Sequence, residues 1–209
     1  ARPRRRVAAK LHRLEKLRTD NPADIQAALR LLALYAQRRQ WPALDALTLS
    51  LTTNAAVSPE DLFQVAGLYT QLDRLDLAIA DYTRAIELDP KEPDFFNNRG
   101  QAHDSKGQHD LAIAVYTEAI RLDGKSARPL YNRGVSYANK GDYRRAVEDF
   151  DLAIKATPDD ADIYVARGAA WEVLGDANAA KADFAKALQI DPDHEDARDH
   201  LQRPEEGEQ

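Results

Sequence analysis

The chain has 209 residues, of which 44% are hydrophobic, and a formal net charge of −6. It contains no cysteine, which excludes disulfides, zinc–thiolate sites and thiol catalysis. No apolar run reaches the length of about 18 residues that a membrane-spanning helix requires, so we expect none.

The first segment, residues 1–20, is basic and amphipathic. Residues 1–18 contain eight basic side chains and one acidic side chain, and Val7, Leu11 and Leu14 share one helical face beside Leu17. One interpretation is a helix that caps the first helix pair. The alternative is that residues 2–18 contact nucleic acid or an acidic membrane surface.

Residues 21–58 predict a degenerate helix pair. Asp20, Asn21 and Pro22 form a helix-start pattern, and Tyr35 precedes Tyr69 by 34 residues. Arg39 stands where later copies have a turn glycine, and Ser58 with Asp61 resembles a capping box that opens the first regular copy.

Four regular copies of a 34-residue unit follow, at 59–92, 93–126, 127–160 and 161–194. Small residues and an aromatic residue recur at this interval: Gly100, Gly134 and Gly168; Gly107, Gly141 and Gly175; Ala112, Ala146 and Ala180; Tyr116, Phe150 and Phe184. Within each unit, apolar residues recur every three or four positions, which predicts two helices joined by a short turn. In the first copy, Ala78, Tyr82, Ala85 and Pro90 are in register.

This pattern resembles the tetratricopeptide repeat, whose signature places here hold Gly134, Tyr137, Ala146, Phe150, Ala153 and Pro158. The resemblance implies an all-α fold, a right-handed superhelical α-solenoid of antiparallel helix pairs. Residues 195–209 are expected to form a polar capping helix and a disordered acidic tail. We expect a cytoplasmic location; a membrane-associated or periplasmic location after removal of an N-terminal segment is the alternative.

The sequence offers no catalytic, cofactor or metal site. The five histidines, His12, His103, His109, His194 and His200, are scattered, and His103 takes a place where other copies have an aromatic core residue. We therefore expect neither an enzyme nor a small-molecule substrate.

The resemblance implies a concave groove lined by the first helix of each repeat, which binds a protein or peptide partner. Gln64, Asn98 and Asn132 form a row of amides at the sixth place, and such amides pair with the backbone of an extended peptide. The candidate groove residues are Phe63, Gln64, Asn97, Asn98, Gln101, Tyr131, Asn132, Asn139 and Glu172. A self-associating scaffold and a protein directed by its basic arm are the alternatives.

A carboxylate clamp for chaperone tails, which occurs in the family, is not expected. Its five places here hold Phe63, Gly67, Asn98, Arg128 and Asn132, and the next register is poorer still. Two cations are therefore missing, and a terminal carboxylate would be poorly neutralised.

Arginines precede the small glycine in three copies, at Arg99, Arg133 and Arg167, and such buried guanidinium groups need acidic partners. We expect bridges between neighbouring repeats, Asp81 with Arg99 and Asp149 with Arg167. Pairing within a repeat, Arg133 with Asp149, is the alternative.

Overall fold

The structure is a computed structural model that describes residues 2–21, 24–52 and 57–202, with side chains except those of residues 2–8 and 52. These residues form twelve helices and no strand: α1 (Arg2–Asp20), α2 (Ile25–Gln37), α3 (Trp41–Thr52), α4 (Pro59–Gln71), α5 (Leu75–Leu88), α6 (Pro93–Ser105), α7 (His109–Leu122), α8 (Ala127–Asn139), α9 (Tyr143–Ala156), α10 (Ala161–Leu174), α11 (Ala177–Ile190) and α12 (Glu195–Gln202). The chain divides into two compact units, Ala1–Lys91 and Glu92–Gln209. The predicted acidic tail, 203–209, lies outside the described residues.

In the first unit, α1 packs on α2. Leu14 is buried in one cluster with Leu31 and Leu34, and the hydroxyl of Tyr35 donates a hydrogen bond of 3.0 Å to Glu15. Burial, together with Glu15, raises the pKa of Tyr35 to about 12. These contacts favour the capping interpretation of the basic helix, because Leu14 of its apolar face already packs within the chain.

The helix starts in this unit were predicted with mixed success. Ser58 and Asp61 form the capping box that the sequence indicates, since the Ser58 hydroxyl accepts from the Asp61 amide and the Asp61 carboxylate accepts from the Ser58 amide. The start predicted at Asp20 and Asn21 is wrong. The preceding helix runs through Asp20, and Asp24 caps α2 by accepting from the amide of Ala27.

The turn glycines of the second unit adopt the left-handed backbone conformation that commonly ends a helix. Gly107, Gly141 and Gly175 have φ values of 70°, 80° and 84°. Glycine reaches this left-handed region without a steric penalty. In the first unit, Arg39 and Asp73 adopt the same left-handed conformation at the equivalent turns, with φ values of 55° and 56°.

In the second unit, α6 pairs with α7, α8 with α9 and α10 with α11. The second helices supply the largest buried side chains, Tyr116, Phe150 and Phe184. The last hairpin is covered by α12, whose His200 ring stacks on Phe184 with centroids 4.4 Å apart and planes 15° apart.

The repeated small glycine faces this aromatic residue. A Cβ added at Gly134 would lie 2.6 Å from the Phe150 ring, and one at Gly168 would lie 2.7 Å from the Phe184 ring. The close approach of ring to backbone therefore explains why the place is glycine in this unit.

Candidate peptide-binding face

The first helices of the second unit, α6, α8 and α10, are neighbours, and we call their shared surface the first-helix face. Seven of the nine candidate residues belong to these helices: Asn97, Asn98, Gln101, Tyr131, Asn132, Asn139 and Glu172. Phe63 and Gln64 lie on α4 of the first unit, where both are half-buried.

Three of the predicted amides meet on the first-helix face. Asn97 is buried, with 2% of its surface exposed, and donates through Nδ2 to Oδ1 of Asn98 at 3.1 Å. Asn132 donates through Nδ2 to Oδ1 of Asn97 at 2.9 Å, which ties α8 to α6. The amide row therefore has a structural role, and the Nδ2 of Asn98 and the Oδ1 of Asn132 are the atoms that these bonds leave for a partner.

A second polar cluster beside the amides was not predicted. The Ser136 hydroxyl donates to Oδ2 of Asp104 at 2.6 Å, and Nδ1 of His109 lies 2.9 Å from Oδ1 of the same carboxylate. Burial is the main cause that raises the pKa of the Tyr116 hydroxyl, and its charge and hydrogen-bond interactions with Asp104 add to it. Asp104 thus joins α6, α7 and α8. The only sequence signal was the carboxylate of Asp104 itself, and the other copies have Thr70, Ala138 and Glu172 at this place.

The aromatic candidates are partly core residues. Tyr131 is half-buried against Phe150, with ring centroids 5.8 Å apart, and Phe63 lies 5.7 Å from Tyr82 in the same way. Burial, followed by the charges of Asp162 and Asp160, raises the pKa of Tyr131. The surroundings of Tyr131 on this face are therefore acidic.

The remaining candidates differ in how freely they face solvent. Gln101 and Asn139 are exposed. Glu172 is also exposed, but its carboxylate lies 2.9 Å from Nδ1 of His200 on α12. Glu172 therefore contacts the capping helix as well as lying on the first-helix face.

Arg133 and Arg167 pair within their own repeats, so the predicted bridge between Asp149 and Arg167 is wrong. Arg133 makes two hydrogen bonds to Asp149, at 2.8 and 2.7 Å, and Arg167 makes two of the same lengths to Asp183. The hydrogen bonds that Arg167 donates to Asp183 are the main cause that raises the pKa of Arg167. Asp81 and Arg99 belong to different units, so their pairing is untested, and it competes with the partner arginine that we propose for Asp81 below.

Within residues 2–21, 24–52 and 57–202, no group of three or more His, Asp or Glu side chains is placed to hold a metal ion. In the same ranges, no helix combines the length and apolar character needed to cross a bilayer.

Comparison with protein families identifies repeats along most of the regular region. Residues 67–104 and 105–141 match the family described as TPR repeat, and residues 131–195 match the family described as Tetratricopeptide repeat. No curated protein is similar in sequence at a significant level.

Solved structures with the same fold include several tetratricopeptide repeat proteins. YrrB, described as a TPR protein with an unusual peptide-binding site, is 18% identical, covers 91% of this chain and 98% of its own, and superposes with a TM-score of 0.68. MamA is 22% identical over 86% of this chain and 94% of its own, with a TM-score of 0.65. The first TPR domain of Spaghetti (RPAP3), bound to the HSP90 peptide SRMEEVD, is 26% identical over 54% of this chain and 90% of its own, with a TM-score of 0.52.

The family matches together cover more than half of the sequence, and the described helix pairs and turns are those that its period predicts. The all-α solenoid of antiparallel helix pairs is therefore confirmed. The chain belongs to the tetratricopeptide repeat family.

Proposed function

We propose that this protein is a non-enzymatic interaction module that binds an extended peptide, or an extended segment of a partner protein, on the first-helix face. The family is generally a non-enzymatic protein-interaction fold, which supports this class of function. Peptide binding by YrrB and by the Spaghetti domain supports it further.

The observation that carries the proposal is the amide cluster of α6 and α8. Asn97 holds Asn98 and Asn132 in place, so one donor atom and one acceptor atom are preorganised at the surface. The backbone of an extended peptide offers the complementary acceptor and donor at every residue. Gln101 and Asn139, both exposed, add further amides on the same helices.

Alanine substitutions of Asn98 and Asn132 do not separate binding from stability, because each removes a hydrogen bond from buried Asn97. Leaving a buried amide unpaired costs about 1 to 3 kcal/mol by itself. Exposed residues of the same face are therefore the better probes.

We expect the double variant Gln101→Arg/Asn139→Arg to lose binding of the partner by at least tenfold, because two long cationic side chains would occupy the first-helix face. Both residues are exposed, so the free energy of unfolding should change by less than about 0.5 kcal/mol. The measurement is photo-crosslinking. A photoreactive residue is placed on α8, on the part of the first-helix face between the two substituted positions, and the captured segment of the partner is identified by mass spectrometry.

The matched control is Ala185→Arg/Gln189→Arg, which adds the same charge at exposed positions of the second helix α11. It should leave crosslinking unchanged. If Gln101→Arg/Asn139→Arg and the control crosslink equally, the binding surface does not lie on the first-helix face.

We also expect the acidic C-terminal peptide of a chaperone to bind more weakly than millimolar. Of the clamp places, Arg128 supplies a cation, but its guanidinium lies 3.9 Å from Asp94, and Phe63 and Asn132, at the places of the other two cations, supply no charge. Isothermal titration with the SRMEEVD peptide checks this, and a micromolar dissociation constant would contradict it.

A further inference from the structure

Arginine side chains fill the space between consecutive second helices in the second unit. Arg133 holds Asp149 on α9 and donates through Nη1 to the hydroxyl of Thr117 on α7 at 3.0 Å. Arg167 holds Asp183 on α11 and also donates to Asp151 on α9. Each guanidinium thus links the second helix of its own repeat to the one before it.

The first unit has the corresponding acidic residue without the arginine. Asp81 on α5 stands two and three repeat lengths before Asp149 and Asp183, and Leu49 on α3 stands in the same relation to Thr117 and Asp151. The place of the arginine is Val65, which is buried and carries no donor. In the first unit, therefore, the side chain of Val65 does not fill the space that a guanidinium fills in the second unit.

A groove occurs at this point between α3 and α5. Its volume is about 350 Å³, near the lower end of the range of roughly 300–1,000 Å³ for small-ligand pockets. Two exposed leucines flank it, Leu49 with 63% and Leu77 with 43% of the residue surface accessible. Its lining residues are Asp45, Thr48, Leu49, Tyr69, Leu77, Ala80 and Asp81.

The equivalent groove of the second unit shows what the arginine does. That groove, about 540 Å³, is lined by Arg144, Val147, Glu148, Asp151, Trp171, Leu174 and Asp176. Asp183 is not among them, since Arg167 pairs with it and only 7% of its side chain is exposed. Asp81, in contrast, forms part of the groove wall.

The electrostatics of the groove favour a cation. Partial burial raises the pKa of Asp81 to about 6, and the charge of Arg84 only partly opposes this effect. The second carboxylate of the groove, Asp45, already pairs with Arg74, whose guanidinium lies 5.3 Å from the centre of the Trp41 ring. Asp81 is ionised at neutral pH, and a cation beside it would offset the cost of its burial.

We propose that this groove receives an arginine side chain from a partner protein, with the guanidinium against Asp81 and the apolar neighbours of that arginine against Leu49 and Leu77. The second unit shows that a guanidinium fits between second helices in this arrangement, because Arg133 and Arg167 occupy it there. Arginine is preferred to lysine, since a planar guanidinium forms two parallel hydrogen bonds to one carboxylate.

The test uses the full chain and the blocked peptide acetyl-Leu-Arg-Leu-amide, compared with peptides in which citrulline or lysine replaces the arginine. Citrulline has nearly the same shape but no charge. NMR titration of the Asp81 carboxyl carbon and of the leucine methyl groups should show the arginine peptide binding about tenfold to a hundredfold more tightly than the citrulline peptide. The arginine peptide should also lower the pKa of Asp81. Equal binding of the arginine and citrulline peptides would overturn the proposal.

Two variants locate the site. Asp81→Asn should weaken the arginine peptide at least tenfold, whereas Glu87→Gln, an exposed site on the same helix with the same change in charge, should not. Val65→Arg should pair with Asp81 within its own repeat and abolish binding. If Asp81→Asn binds as Glu87→Gln does, or if folded Val65→Arg still binds, the inference is wrong. Should Val65→Arg fail to fold, the comparison of the two α5 variants decides.

Discussion

Replacing Arg167 by alanine is expected to lower the free energy of unfolding by about 3 to 5 kcal/mol. Asp183 has only 7% of its side chain exposed, and the substitution removes the two hydrogen bonds that its carboxylate accepts from the guanidinium. It also removes the link to Asp151 on the preceding second helix. Urea denaturation followed by circular dichroism measures the loss.

Arg144 supplies the matched control, because it is an exposed arginine of the same unit and its replacement by alanine should cost less than about 0.5 kcal/mol. The double variant Arg167→Met/Asp183→Leu should recover most of the stability, since it removes both charges instead of one. If Arg167→Ala unfolds at the same urea concentration as Arg144→Ala, the pair does not stabilise the fold.

Replacing Gly134 by leucine is expected to destabilise the protein by about 1 to 3 kcal/mol through overpacking. Even the first added carbon would lie 2.6 Å from the Phe150 ring, and that ring is fully buried, so it has little room to move. The midpoint of chemical denaturation checks this prediction, and an unchanged midpoint would contradict the packing described here.

Gly67→Ala is the control for the effect of removing a helical glycine. An added Cβ there would lie 3.8 Å from the Tyr82 hydroxyl, an ordinary contact distance. Alanine should therefore stabilise α4 by roughly 0.5 to 1 kcal/mol, because glycine is the poorer helix former. Opposite signs for the two glycines would separate close packing from helix propensity.

Periodicity predicted the helices of the regular repeats well, because each repeated residue has a steric reason for its place. A left-handed turn favours glycine at Gly107, Gly141 and Gly175, and the nearby aromatic ring requires it at Gly134. Such one-residue requirements can be read from spacing alone. The start of α2 was misplaced because several neighbouring residues, Asp20, Asn21 and Asp24, are all able to cap a helix.

Pairings between side chains were harder to predict. Spacing places Arg167 near both Asp149 and Asp183, and only the direction of its side chain decides in favour of Asp183. The amide row was predicted, but not that buried Asn97 would bond to two of its members, Asn98 and Asn132, since a sequence pattern does not give hydrogen-bond partners. The sequence contains a signal for the groove at Asp81, because Val65 stands where the next three repeats have arginine, while the acidic residue is present at Asp81.

The arginine links also bear on how such a chain tolerates the loss of a repeat. Arg133 and Arg167 stand at the same place of consecutive repeats, and each reaches back to the same place of the preceding second helix, Thr117 or Asp151. Deleting residues 127–160 would join α7 to α10 in register and bring Arg167 opposite Thr117, a hydroxyl that already serves as an arginine acceptor. We therefore expect the loss of this one repeat to shorten the array while Arg167 keeps an acceptor on the preceding second helix.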